Sequence, residues 1–241
     1  MENLTLITAS FETPKITETM LNSFKYHHGK LPNLVIIENS RDDETRNVLD
    51  SYGIGYYKNI GGYHAPSIDI AFSLCKTDYA LVVDTDIIFN KSILSIYNEF
   101  KEHNYTIAGI KSGDRGGLKL YPRIDPWFMV VNIKNIKDNN IIFYNKEKVD
   151  RTKSGFLYMT GTLADRNVDC RKYDVGSTFL EDTLEHGLKA EHCEHYKEYF
   201  THYEGMSWRG NCNDKELQRI HELNLIKYIN EIKKYENILL N

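Results

Sequence analysis

The chain reads as an α/β protein built on a doubly wound, mostly parallel sheet with helices on both faces. Two observations predict this. Through the first hundred or so residues, short apolar runs alternate with helical patterns, the order that a parallel sheet with crossover helices requires. The runs are also rich in β-branched and aromatic residues and bounded by turn signals, as buried strands are. Taken in order, "LTLITA" (4–9), "LVIIE" (34–38), "IGYY" (54–57) and "ALVVD" (80–84) are the predicted strands. Between the first two, "PKITETMLNSFKYHH" opens on Pro14, whose fixed φ and missing N–H suit a first helical turn. "DDETRNVLDSY" follows as a second helix. "YHAPSIDIAFSLC" is the third, with Ile68, Ala71, Phe72 and Cys75 on one face.

After residue 110 the pattern changes. "IKSGDRGGLKLYPRIDP" is rich in Gly and Pro and has no period, so it reads as a long loop of the kind that carries function. A strand "WFMVVNI" (127–133) follows, then a helix in "DVGSTFLEDTLEHG" (174–187) and an extended "KEYFTHY" (197–203). The last segment, "DKELQRIHELNLIKYINEIKKYENILL", is an amphipathic helix with Leu217, Ile220, Ile229, Ile232 and Tyr235 among its apolar positions. It is expected to pack on the domain or to form a homodimer. The division that follows is one domain over residues 1–212 and a helical extension over 213–241.

Composition narrows the partners. With 241 residues, 41% of them hydrophobic and 27% charged, the chain can bury a core and is ordered. A net charge of −4 offers no broad electrostatic footprint for nucleic acid or anionic lipid. The N-terminus has no basic region followed by an apolar run, and no stretch approaches the roughly 18 apolar residues of a transmembrane helix. Cys75, Cys170, Cys193 and Cys212 are scattered without paired spacing, which fits a reducing compartment. A soluble, cytoplasmic protein is expected. A zinc site in "EHGLKAEHCEH" is disfavoured, because its ligands are too crowded and no Cys-x-x-Cys accompanies them.

The chemistry concentrates in "ALVVDTDIIF" (80–89), where Asp84 and Asp86 end an apolar strand one residue apart. Ligands of such sheets sit at the carboxyl ends of the strands. Two carboxylates ~4 Å apart repel by as much as about 4 kcal/mol at an effective dielectric near 20. A hard divalent cation turns that repulsion into a binding site, and such ions commonly share their ligands with substrate phosphates. Turn capping by solvated carboxylates is the competing reading.

In order along the chain, "LTLITASFETP", "LVIIENSRDDETRNVL", "NIGGYHAPSIDIAFSLCKTDYALVVDTDIIF" and "HYEGMSW" resemble the family 2 glycosyltransferases of the GT-A fold, over roughly residues 4–209. The resemblance implies a GT-A domain with a Rossmann-like sheet. It would take a sugar from a nucleotide diphosphate sugar donor to a hydroxyl acceptor such as a glycan, with inversion and with Mn2+ or Mg2+. Residues 1–110 would bind the donor and 111–212 the acceptor. Position by position, Thr8 to Ser10 would contact the nucleotide. Glu38, with Asn39 beside it, would read the base where the family more often has Asp-Asn. Gly61, Gly62 and Asp69 would lie near the nucleotide, Asp84 near ribose or metal, and Asp86 on the metal. His202 matches the His that closes the metal site before a Gly-x-Ser-Trp turn.

The family's general base comes from a Glu-Asp motif opening a helix some dozen residues before a Gly. Asp174 stands at that distance from Gly187, whereas the literal Glu181-Asp182 pair is closer to it. Asp174 is favoured and Asp182 kept open, with a helix cap as Asp174's other use. Arg115, Lys119, Arg123 and Arg209 are candidate cations for the leaving diphosphate, and Trp127 is a core residue or a sugar platform. A nucleotidyltransferase would also want strand-end carboxylates, but "TASFETPK" is no Gly-rich phosphate loop. A transferase acting on a modified DNA base would share the donor chemistry, and the negative net charge counts against it.

Overall fold

The computed structural model describes residues 2–112, 120–151, 173–203, 206, 215–236 and 238. In chain order the elements are β1 (Leu4–Ser10), α1 (Pro14–His28), β2 (Asn33–Glu38), α2 (Glu44–Ser51), β3 (Tyr57–Lys58), α3 (His64–Leu74), β4 (Tyr79–Val83) and β5 (Ile87–Phe89). There follow α4 (Leu94–Glu102), β6 (Ile107–Ser112), β7 (Arg123–Asn132), α5 (Ile133–Asp138), α6 (Lys146–Arg151), α7 (Ser177–Glu185), β8 (Ala190–His192), β9 (Phe200–His202) and α8 (Lys215–Ile232).

Seven strands form one sheet in the order β3-β2-β1-β4-β7-β6-β8. All neighbours are parallel except at β7, which runs against both β4 and β6. Strands β1, β2 and β4 are apolar on both faces over most of their length because both faces are covered. Leu4, Leu6, Ile36 and Leu81 join Met20 and Phe24 of α1 on one side. Ile7, Val35, Ile37, Ala80 and Val82 meet Ile68, Ala71 and Phe72 of α3 on the other. The predicted apolar face of α3 is thus the face that packs. Each Leu, Ile, Val, Met or Phe among them contributes ~1.5–3 kcal/mol by leaving water.

Of the predicted strand at 54–57 only Tyr57 is in β3, an exposed two-residue strand, while Ile54 is buried ahead of it. The predicted loop ends earlier than expected, because β7 already begins at Arg123 and takes in Pro126. Proline is tolerated there for a local reason. β4 stops pairing at Val83 opposite Phe128, and the β6 register shifts between Gly109 and Lys111, so neither neighbour needs an N–H from residue 126. The expected extended stretch at 197–203 is a 3-10 turn over Glu194–Tyr199 followed by β9, which pairs antiparallel with β5.

Helix α8 lies over β5 and α1. Its buried seam is Tyr228 and Ile232, continued by Tyr235 in the 3-10 turn that follows, packed with Ile88, Tyr203 and Met206. Ile229, expected among the apolar contacts, is 46% exposed. The tyrosines take the seam because their hydroxyls find acceptors, Tyr228 at Lys15 O (3.3 Å) and Tyr235 at Phe89 O (3.1 Å).

Candidate active site

The reversed direction of β7 brings its N-terminal end to the carboxyl edge of β1 and β4. There the Asp84 N–H donates to Trp127 O (3.2 Å) just past the last β4–β7 pair. Two residues on, the β5–β9 ladder sets His202 opposite Ile87, and the Tyr203 N–H donates to Asp86 O (2.8 Å). A second backbone N–H, from Met206, reaches Asp86 Oδ2 (3.2 Å). His202 Nε2 lies 3.2 Å from Asp86 Oδ1, and the Trp127 ring stacks on the imidazole at 4.5 Å between centroids and 17° between planes. Trp127 therefore packs against a site residue rather than standing open as a platform. Ligand atoms of Asp84, Asp86 and His202 all fall within 4.8 Å of one another. Two carboxylates and an imidazole suit a divalent cation, which would offset the repulsion between the two like charges.

A second histidine, His64 at the start of α3, reaches the same place. Its Nε2 is 3.0 Å from Asp84 Oδ1, both side chains being about one-third exposed. Burial opposes its protonation, but the charges of Asp84, Asp86 and Asp174 outweigh that and raise its pKa above the ordinary value.

Asp174 itself is fully buried. Its Oδ2 pairs with Arg123 Nη1 and its Oδ1 accepts the Val175 N–H (2.8 Å). The cap of α7 is Gly176, at φ +88°, where a Cβ would stand 2.8 Å from Ile124 O. The capping position is thus taken by another residue. Asp182 belongs to a different cluster, where it accepts from Lys148 Nζ (2.6 Å) and Asn145 Nδ2 (3.0 Å). Arg123, expected among cations facing the diphosphate, is buried, with Asp125 Oδ1 3.1 Å from its Nη2. Arg115, Lys119 and Arg209, like Gly205, Ser207 and Trp208 of the last motif, lie outside the described residues.

On the donor side, Thr8 Oγ1 and Ser10 Oγ at the end of β1 are buried without a hydrogen-bond partner. A buried hydroxyl left unpaired costs about 1–3 kcal/mol, so these two are suited to receive polar atoms of a ligand. Glu38 ends β2 fully buried, with Oε2 2.5 Å from Arg46 Nη1 and Oε1 accepting the Ser40 N–H (2.8 Å). Asn39 Oδ1 accepts from Asn59 Nδ2 (2.9 Å), with Ser67 Oγ 3.1 Å away. Gly62 sits against that pair. Asp69 is engaged elsewhere, accepting the N–H groups of Phe143 (2.5 Å) and Tyr144 (3.1 Å).

Sequence reading did not single out His64 or Asp125. His64 stands two residues after the Gly61-Gly62 turn at a helix start, and an Arg-x-Asp opens β7. Neither pattern by itself points at the strand ends.

The fold is that of the GT-A glycosyltransferases. Residues 5–169 match Glycosyl transferase family 2, well over half of the chain, and the chain belongs to that family. The galactosyltransferase LgtC, solved in complex with donor and acceptor sugar analogs, is similar at TM-score 0.56 and 10% identity, over 92% of this chain and 95% of that one. The glycosyltransferase GlyE of Streptococcus pneumoniae TIGR4 gives 0.54 and 12% over 96% and 62%. S. aureus TarS 1-349 gives 0.52 and 14% over 95% and 72%. The chain spans only 31% of the longer TarS chain it matches. No curated protein sequence matches it.

Proposed function

We propose that this chain transfers a single sugar from a nucleotide diphosphate sugar to a hydroxyl acceptor, with inversion at the anomeric carbon. The observation that carries the reading is the convergence of Asp84, Asp86 and His202 within 4.8 Å at the carboxyl edge of the sheet. These three residues would hold Mn2+ or Mg2+, which when bound neutralises charge developing on the leaving diphosphate. Thr8 and Ser10 offer unpaired hydroxyls to the nucleotide, and Asn39 and Gly62 shape the adjoining wall. Glu38 acts there by fixing Arg46 and Ser40, and Asp69 by anchoring α3.

Asp174 is the general base in this reading. The acceptor O–H gives its proton to the carboxylate as the oxygen bonds to the anomeric carbon, and the C–O bond to the diphosphate breaks with its electron pair going to the phosphate oxygen. Because Asp174 is paired with Arg123, the acceptor must displace part of that pairing. Residues 1–110 bind the donor and 111–212 shape the acceptor site on the one shared sheet. A glycan acceptor is supported by LgtC, whose complex holds an acceptor sugar analog. The extension at 213–241 braces the domain or forms a homodimer.

Calorimetry with UDP, GDP, dTDP and CMP, each with Mn2+ and with EDTA, tests the donor site. Asp86→Ala is expected to abolish cation-dependent binding. Asp174→Asn is expected to bind normally and to lose transfer by ~10²–10⁴-fold, the usual contribution of a general base. Wild-type turnover in Asp174→Asn removes the assigned base, and absence of nucleotide binding under every cation condition removes the donor reading.

A further inference from the structure

His64 lies inside the "NIGGYHAPSID" stretch but takes no role from it, yet the fold delivers it to the cluster. Of the three clustered residues, Asp86 and His202 are held firmly. Asp86 receives two backbone N–H groups through its carboxylate and carbonyl, and His202 is clamped beneath Trp127. The Asp84 side chain is 31% exposed, and the His64 imidazole stands 3.0 Å from its Oδ1. A partly exposed carboxylate at a strand end takes its orientation from its hydrogen-bond partners.

His64 is in turn held by its helix. Ser67, one turn on, is buried and sits 3.1 Å from Asn39 Oδ1, and the Asn59 amide donates to both. Asp69 ties the next turn to the backbone at Phe143 and Tyr144. At ~100° per residue, Asp69 lies about 140° around α3 from His64, so the helix is pinned on two sides while its first residue is aimed at Asp84. Two residues whose motif positions suggest nucleotide contact, Asn39 and Asp69, thus fix the angle of α3.

We propose that His64 is a positioning residue of the cation site. Its Nε2–H donates to Asp84 Oδ1 and thereby holds the carboxylate in the orientation that faces Asp86 and His202. The proposal rests on the cation reading given above. Partners that orient metal-binding carboxylates typically change metal affinity by about 10–100-fold when removed.

Mn2+ alone, titrated against the protein and followed by the electron paramagnetic resonance signal of the free ion, tests this without reference to turnover. His64→Leu is expected to weaken Mn2+ binding by about 10–100-fold with an unchanged circular dichroism spectrum. His64→Gln, which keeps an N–H donor at similar reach, should recover most of the affinity. In an Asp84→Asn background, His64→Leu should add no further loss, since the two residues act as one unit. Wild-type affinity in His64→Leu, or full additivity with Asp84→Asn, overturns the positioning role. If His64→Leu does not fold, His64→Gln decides, because a drop in affinity as large as that of Asp84→Asn would also overturn it. Failure of the wild-type protein to bind Mn2+ at all sinks the underlying cation reading, a result distinct from either.

Discussion

Gly62 has no room for a side chain. A Cβ there would lie 2.0 Å from Asn59 Nδ2 and 2.7 Å from Asn39 Oδ1, atoms already committed to each other and to Ser67. Gly62→Ala should therefore cost ~1–3 kcal/mol through overpacking, read as a lower urea midpoint at unchanged m-value. His28 shows how a titratable group is fixed in one state. Its Nδ1–H donates to Phe24 O (2.7 Å) while its Nε2 accepts the Ile93 N–H (2.9 Å), an arrangement open only to the neutral ring. Burial accordingly lowers its pKa, against the opposing effect of the Phe24 carbonyl. The unfolded chain then binds the proton more readily, so the contribution of His28 to stability is complete above the unfolded value of about 6.5 and is lost as pH falls toward the folded value. Denaturant midpoints at pH 7.5 and 5.5 should show a drop that His28→Gln reduces. An equal drop in both proteins would remove the assignment.

At the scale of elements, the last helix joins a buried seam to an uncovered one. Tyr228 and Ile232 face the domain, whereas Leu223, Ile226 and Ile229 are 45%, 59% and 46% exposed. Three apolar residues at i, i+3, i+6 form a stripe on one side of a helix. If a second copy covers it, sedimentation will give a concentration-dependent dimer that Ile226→Glu converts to monomer. A wild-type monomer at high concentration would leave α8 only its bracing role. That bracing is substantial, since the tyrosine seam packs on β5, the strand that carries Ile87 and Ile88 directly after Asp86.

For the molecule as a whole, the proposed site draws on four parts of the chain. Asp84 and Asp86 come from the β4 turn, His202 from β9, Asp174 from the segment leading into α7 and its partner Arg123 from the start of β7. A ligand that bridges them should tie these elements together. Nucleotide with Mn2+ at about 100 times its Kd would stabilise the fold by ~2.7 kcal/mol. For a chain of this size that raises the melting temperature by roughly 5–11 °C, at about 2–4 °C per kcal/mol. EDTA should cancel the shift in the wild type, and Asp86→Ala should show none. A shift that survives EDTA would mean that nucleotide binding does not need the cation.

Strands β1, β2 and β4 and the face of α3 were legible in the sequence because burial on two sides leaves mostly apolar runs, and a helix with one covered face leaves a period. Asp84 and Asp86 were legible for a related reason, since a polar pair at the end of such a run has to fall on the carboxyl edge. His202 was reachable through its motif alone. The extent of β7 was not legible, because Pro126 is admitted only where β4 has stopped pairing and β6 bulges. The burial of Asp174 against Arg123, the engagement of Glu38 by Arg46, and the bond from His64 to Asp84 were decided by the tertiary structure. Those partners face each other only after the crossover helices have folded back onto the sheet, and local composition carries no record of which strand end a side chain will meet.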